Sequence, residues 1–213
     1  MKMKISKSFI LIVAIFSCII CFINGMRERP QEILENFFTS IKLGQNDWIE
    51  KNVIINEKCK SSYKELNKVK ARLSELDTKK IKVSEKLNNC VLSKIQYEIK
   101  AVKKVDKRTT IFEVEVTNID LYKVFSLELN KYLLDIVHEN HKTLEEDEKL
   151  KNSIGEDLIK VMNDNNVETS TRIVKIKLKK FNGKLFVYID NEDIINVLSG
   201  NLLMAHRVMD QVI

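Results

Sequence analysis

Between Arg172 and Asp190, apolar and polar residues alternate on both sides of Asn182-Gly183. Asn-Gly between two β-rich runs predicts a hairpin, because a type I′ turn needs φ > 0 at both central residues. A two-residue turn sets Lys180 opposite Leu185, Leu178 opposite Val187 and Ile176 opposite Ile189, so the apolar residues of both strands share one face. Lys175, Lys177 and Lys179 fall on the other face with Phe186 and Tyr188. The same two-residue period recurs in Ile95, Tyr97, Ile99 and Ala101 and again in Phe112, Val114 and Val116. These are two half-buried strands, and the polar turn 103–110 makes them an antiparallel pair.

Elsewhere the period is helical. Pro30 opens a helix with Ile33, Phe37 and Ile41 on one stripe and Leu34 and Phe38 beside it, ending at Gly44. A short helical segment carries Trp48 and Ile49. The charged stretch 58–88 shows a narrow apolar stripe at Tyr63, Leu66, Val69, Leu73 and Leu76, then Ile81, Val83 and Leu87, broken near Asp77-Thr78. It holds fewer than four clean heptads, so a helix lying over the open side of a sheet fits better than a coiled coil. Thr117 or Asn118 caps a helix running to about Val137, with Leu121, Phe125, Leu129, Tyr132 and Ile136 inward. An acidic linker, 144–148, precedes a helix with Leu150, Ile154, Leu158, Val161 and Met162 inward. A last helix starts near Glu192, capped by Asp190 or Asn191, and Gly200 kinks or thins it where another element approaches. The expectation is an α+β fold: N-terminal helices on a curved antiparallel sheet, a helical insertion and a C-terminal helix.

Residues 1–25 read differently. A short cationic start with Lys2, Lys4 and Lys7 precedes an apolar run over 9–23, the layout of a secretory signal. Fifteen residues fall short of the roughly 20 that a spanning helix needs, so a cleaved signal ranks ahead of an uncleaved anchor, and lipidation at Cys18 third. Residues 26–213 then form a single domain, exported to the extracellular side or the cell envelope. The charge follows suit. The whole chain is +6, but without those three lysines 33 basic face 30 acidic residues, mostly Lys among the bases. No basic helix, aromatic platform or zinc-finger spacing accompanies them, which argues against a nucleic-acid partner.

Three stretches carry a family likeness: Pro30-Gln-Glu-Ile-Leu-Glu-Asn-Phe-Phe through Gly44-Gln-Asn-Asp-Trp48, the strand ending Val116-Thr-Asn-Ile-Asp120, and Ile173 to Asn201 with its Asn-Gly-Lys turn and Leu198-Ser-Gly-Asn-Leu202. Together they resemble small exported or lipid-anchored bacterial proteins of the nuclear-transport-factor-2-like, or cystatin-like, superfamily. The resemblance implies a cone-shaped fold able to hold a small-molecule pocket. Its motifs are structural, and Leu185 stands where such domains commonly place Trp.

Candidate chemistry is sparse. His138-Glu-Asn-His141 with Glu145 and Glu146 could gather a metal on one helical face, but histidines near a helix end more often face its terminal carbonyls. His206 stands alone. Cys59 and Cys90 form an even pair in an exported chain, and a disulfide between them would contribute about 3–4 kcal/mol; two separate thiols are the equal alternative. The Lys175, Lys177, Lys179 stripe is either ordinary solvated sheet or an anion surface, and Glu113 and Glu115 lie on the polar strand face, away from the core. No nucleophile triad, phosphate loop or cofactor fingerprint is present, so neither a cofactor nor an enzyme is expected. The expectation is a non-enzymatic extracytoplasmic domain that binds a small ligand or an envelope protein, with Phe37, Trp48, Val114, Leu178 and Val187 as pocket walls. The alternative is a structural or interaction module acting through segment 58–88.

Overall fold

The computed structural model describes residues 29–74, 77–79, 82–126 and 144–212. The predicted signal or anchor, the far part of the helix expected to run to Val137, and His138 and His141 lie outside the described residues. In chain order the elements are α1 (Pro30–Lys42), α2 (Asn46–Asn52), β1 (Val53–Ile55), α3 (Glu57–Leu73), α4 (Val83–Ser93), β2 (Gln96–Lys104) and β3 (Thr109–Ile119). After a helical stretch at 121–126 come α5 (Leu144–Asn163), β4 (Thr169–Phe181), β5 (Lys184–Ile189), α6 (Glu192–Leu198) and α7 (Leu202–Val212). The fold is α+β, a five-stranded sheet in the order β1-β5-β4-β3-β2 with helices at both ends of the described chain.

The hairpin forms in the register its pattern demands, with Lys180 opposite Leu185 and Leu178 opposite Val187. Asn182 and Gly183 take φ of 48° and 89°, the left-handed pair a type I′ turn requires. β4 is the central strand, paired on its other side along the whole of β3. Val114, Val116, Ile176, Leu178 and Val187 are buried together on one face. That face takes α1 against β5 and α6 against β4 and β3. Phe38, fully buried on α1, stacks on Tyr97 of β2 with ring centroids 4.0 Å apart and meets Phe37 edge-on at 5.4 Å.

The structure departs from the sequence reading in five places, one being that β3 runs on through Thr117 and Asn118, the expected helix caps, to Ile119. The sheet is mixed: Val53, Ile54 and Ile55 pair in parallel with Val187, Tyr188 and Ile189, a strand too short to announce itself. The acidic stretch 144–148 is the start of α5 and no linker. The expected C-terminal helix is two, α6 and α7, separated by Ser199-Gly200-Asn201 with φ of 63° and 58° at the last two. Finally, α3 packs chiefly on α7 and α6, burying Cys59, Ser62, Leu66 and Val69 and leaving Tyr63 exposed. The break between α3 and α4 falls where expected. There Asp77 accepts hydrogen bonds from Ser84 N at 2.9 Å and Ser84 Oγ at 2.8 Å.

Strand β2 forms one edge of the sheet. Its pairing with β3 slips between Ile99 and Ala101, placing a bulge at Lys100, whose ammonium meets Glu98 at 2.7 Å and Glu115 at 3.0 Å.

Two of the three stretches that carry the family likeness meet in space. Asn118, 1 % exposed, donates through Nδ2 to the carbonyls of Val197 at 3.0 Å and Leu198 at 3.2 Å, while Leu121 N donates to Gly200 O at 2.8 Å. The end of β3 is thereby latched to the break between α6 and α7.

Candidate functional site

The cysteines stand in different surroundings. Cys59 is buried at the start of α3, where desolvation first, then the carboxylates of Asp190 and Glu192, raise its pKa. Cys90, near the end of α4, sits 3.3 Å from the carbonyl of Met162 in α5, and burial raises its pKa against the pull of Lys94. Both are free thiols. Raised values keep them protonated at neutral pH, which suits neither nucleophile nor metal ligand. Alkylation of denatured, unreduced protein followed by peptide mapping is expected to label both Cys59 and Cys90; a peptide linking them would contradict the structure.

The lysine stripe is largely neutralised within the sheet. Lys175 pairs with Glu113 at 3.4 Å, Lys177 with Asp190, and Lys179 lies over the Tyr188 ring at 3.5 Å from its centroid. Glu113 faces Lys175 directly in the β3–β4 ladder. The two carboxylates Glu113 and Glu115 therefore serve as ion-pair partners on the open face, Glu115 through Lys100. Among the described residues, no three His, Cys, Asp or Glu side chains gather as metal ligands. His206 lies on α7 close enough to Glu65 to help hold that carboxyl below its ordinary value, an effect owed first to Arg207. Arg207 bridges α7 to α3 and α6, its Nε and Nη2 each 2.9 Å from Glu65 and its Nη1 2.6 Å from Glu192.

A cleft of about 790 Å³ opens between the helical layer and the β1 edge of the sheet. Phe37 and Ile41 of α1, Ile49 of α2, Val53 and Ile55 of β1, Leu66 of α3, Leu92 of α4 and Ile189 of β5 line it, with Ile194, Ile195 and Leu198 of α6. Polar groups come from Asn46, Asn88, Asn89, Ser93 and Ser199, and Tyr63 and Lys70 stand on the α3 side. Lys70 is exposed by area, yet the groups around its ammonium desolvate it enough to lower its pKa. Of the five expected pocket walls, Phe37 lines this cleft. Trp48 is half-buried against the core next to the lining residue Ile49, and Val114, Leu178 and Val187 lie fully buried in the core. Sequence periodicity assigns inward faces, and here most inward positions on the central strands are sealed by helices. The cleft walls that periodicity missed come from β1 and from the half-buried flanks of α2 and α4, which carry no alternation to reveal them.

A second concavity, about 770 Å³, lies at the opposite character extreme. It sits between the β2–β3 and β4–β5 turns and is lined by Lys104, Asp106, Lys107, Arg108, Lys180 and Lys184 with Pro30, Thr110, Asn182, Gly183 and Leu185. The two turns are tied together where Lys180 N donates to Arg108 O at 2.8 Å.

The family model of the Alsin helical array domain matches residues 1–178. The chain belongs to that family. Within the matched span the described helical array domain residues also form β1, β2, β3 and the first part of β4, so helices alone do not describe this fold. No curated protein matches the chain. Among solved structures, the chain is similar to a candidate lipoprotein, YcdA, of Bacillus subtilis subsp. subtilis str. 168, at 15 % identity and a TM-score of 0.40, covering 71 % of this chain. The chain spans about half the length of that protein, 48 %. The likeness is too distant to carry a fold or an activity across. Among the described residues, no helix is long and apolar enough to cross a membrane.

Proposed function

We propose that the protein is a non-enzymatic extracytoplasmic domain of the nuclear-transport-factor-2-like kind, and that its cleft holds a small apolar or amphipathic ligand. The observation that carries this reading is the cleft itself: an apolar lining drawn from seven elements, with a few amide side chains and one partly desolvated ammonium to orient a ligand. The export reading of residues 1–25 places such a domain outside the cytoplasm. Segment 58–88 supports a supporting role better than a free interaction face, because its apolar stripe at Leu66, Val69, Val83 and Leu87 is already buried within the chain.

Trp48 makes the reading measurable. It is the single tryptophan, and its helix contributes Asn46 and Ile49 to the cleft. Titration with medium-chain fatty acids or their methyl esters is expected to change Trp48 fluorescence saturably. Asn88→Phe, which fills the cleft from a polar lining position, is expected to weaken that binding at least tenfold while the thermal midpoint stays close to wild type. Absence of saturable binding by both probe classes, or equal binding by the filled variant, overturns the reading.

A further inference from the structure

The cationic concavity between the two turns has four features that belong together. The first is unbalanced charge. Lys104, Lys107, Arg108 and Lys180 are exposed, and among the described residues the one carboxylate that acts on any of them is Asp106, attracted by Arg108 in its own turn. Lys184, beside them, donates to the carbonyl of Lys51 at 3.2 Å and stands over the Phe186 ring. The one acid in the lining is turned into its own loop, where Asp106 Oδ1 accepts from Arg108 N at 2.6 Å. This contrasts with the neighbouring sheet face, where Lys175 and Lys177 each have a carboxylate. The charge left over collects at one end of the sheet.

The second feature is apolar. Val105, 52 % exposed, and Phe181, 44 % exposed, project from these same two turns. Cations flanking exposed apolar side chains suit the boundary between headgroups and acyl chains, and a soluble polyanion has no use for the latter. The third feature is position. Pro30 lines the concavity, so the chain enters the domain here. The fourth is what precedes it. The apolar run ends at Ile23, seven residue steps before Pro30, a link of at most about 25 Å even when fully extended. A run of fifteen apolar residues is short of a full span, and marginal anchors become stable when a polybasic surface adds a second attraction.

We propose that residues 9–23 are retained as an anchor and that this end of the sheet, the 104–108 and 180–184 turns, docks on anionic lipid headgroups of the same membrane. The sheet then stands on the bilayer through its two hairpin tips, and the ligand cleft at the β1 edge stays clear of them.

The test uses the full chain and two kinds of vesicle, phosphatidylcholine alone and an equimolar mixture with phosphatidylglycerol. Binding to phosphatidylcholine reads the apolar run; the increment on the anionic vesicles reads the turns. Each basic residue at an anionic surface is worth roughly fivefold in partitioning, so Lys107→Glu/Arg108→Glu/Lys180→Glu is expected to cut the increment by on the order of 100-fold or more. The milder Lys107→Gln/Arg108→Gln/Lys180→Gln is expected to remove most of it with no folding risk from repulsion. The increment is expected to collapse near 1 M salt, where the screening length is about 3 Å. Phe181→Ser is expected to weaken binding at every salt concentration. As a control, Lys64→Glu/Lys68→Glu on the exposed side of α3 removes more positive charge than the triple Gln variant does, but away from the turns, and is expected to leave the increment largely intact. Equal loss in that control, or equal partition of wild type onto both vesicles, overturns the proposal. So does retention of soluble polyphosphate by a wild-type protein that shows no anionic-vesicle increment, which would assign the concavity to a polymer.

Discussion

Replacing Gly200 by alanine is expected to destabilise the protein by about 2–5 kcal/mol, a fall in thermal midpoint on the order of 10 °C for a domain of this size. Two independent effects add. Gly200 has φ of 63°, where a Cβ costs about 1–2 kcal/mol. A Cβ there also stands 2.8 Å from the backbone oxygen of Ile119, which cannot swing aside as a side-chain tip would, and meets Leu121 and Val91 at 3.4 Å. Overpacking of that kind costs about 1–3 kcal/mol. Gly44 and Gly183 provide the internal comparison. Their φ values are 63° and 89°, but a Cβ at either finds no atom within 4 Å. Gly44→Ala and Gly183→Ala are therefore expected to show the conformational term alone, about 1–2 kcal/mol. Urea unfolding of the three variants side by side checks the ranking; equal losses at all three would mean that the approach of β3 to the α6–α7 break contributes nothing.

Phe38→Ala is expected to cost about 3–5 kcal/mol. The ring is fully buried, stacked within 8° of parallel on Tyr97 and edge-on to Phe37. Its removal leaves a void where α1 meets the sheet, between a helix and a strand that cannot both close in. Phe38→Leu is expected to recover more than half of the loss, because it restores most of the volume and only the aromatic contact is missing. A loss below about 1 kcal/mol for Phe38→Ala in the same urea experiment would contradict the packing described.

What the sequence made legible is what depends on near neighbours. The β4–β5 hairpin followed from Asn182-Gly183 and a two-residue period, and its register came out as the turn length demanded. The Asn191 cap of α6, whose side chain accepts from Asp193 N, and the break near Asp77 were equally local. What stayed hidden depends on partners far along the chain. Val53–Ile55 has three residues and pairs in parallel with β5 more than 130 positions later, so no local period exposes it. The lysine stripe looked like free charge because Glu113 and Asp190 reach it only through the folded sheet. The turns 103–110 and 182–183 read as ordinary polar connections, and only the antiparallel order of β2 to β5 sets them side by side. A pocket was expected only from the resemblance, and its walls come mostly from helices α1, α2, α3, α4 and α6 and from the β1–β5 edge, while the central-strand positions that periodicity selects are sealed in the core.

The bulge at Lys100 bears on how the protein behaves among copies of itself. β2 offers nine residues along the free edge of the sheet, with Val102 57 % exposed, long enough to recruit a strand from another molecule. The slipped pairing at Lys100 interrupts the regular spacing of backbone donors and acceptors, and Lys103 and Lys104 put positive charge along the same edge. A second molecule approaching edge-to-edge would meet a broken ladder and a like charge, so the strand that closes the sheet also stops it from growing.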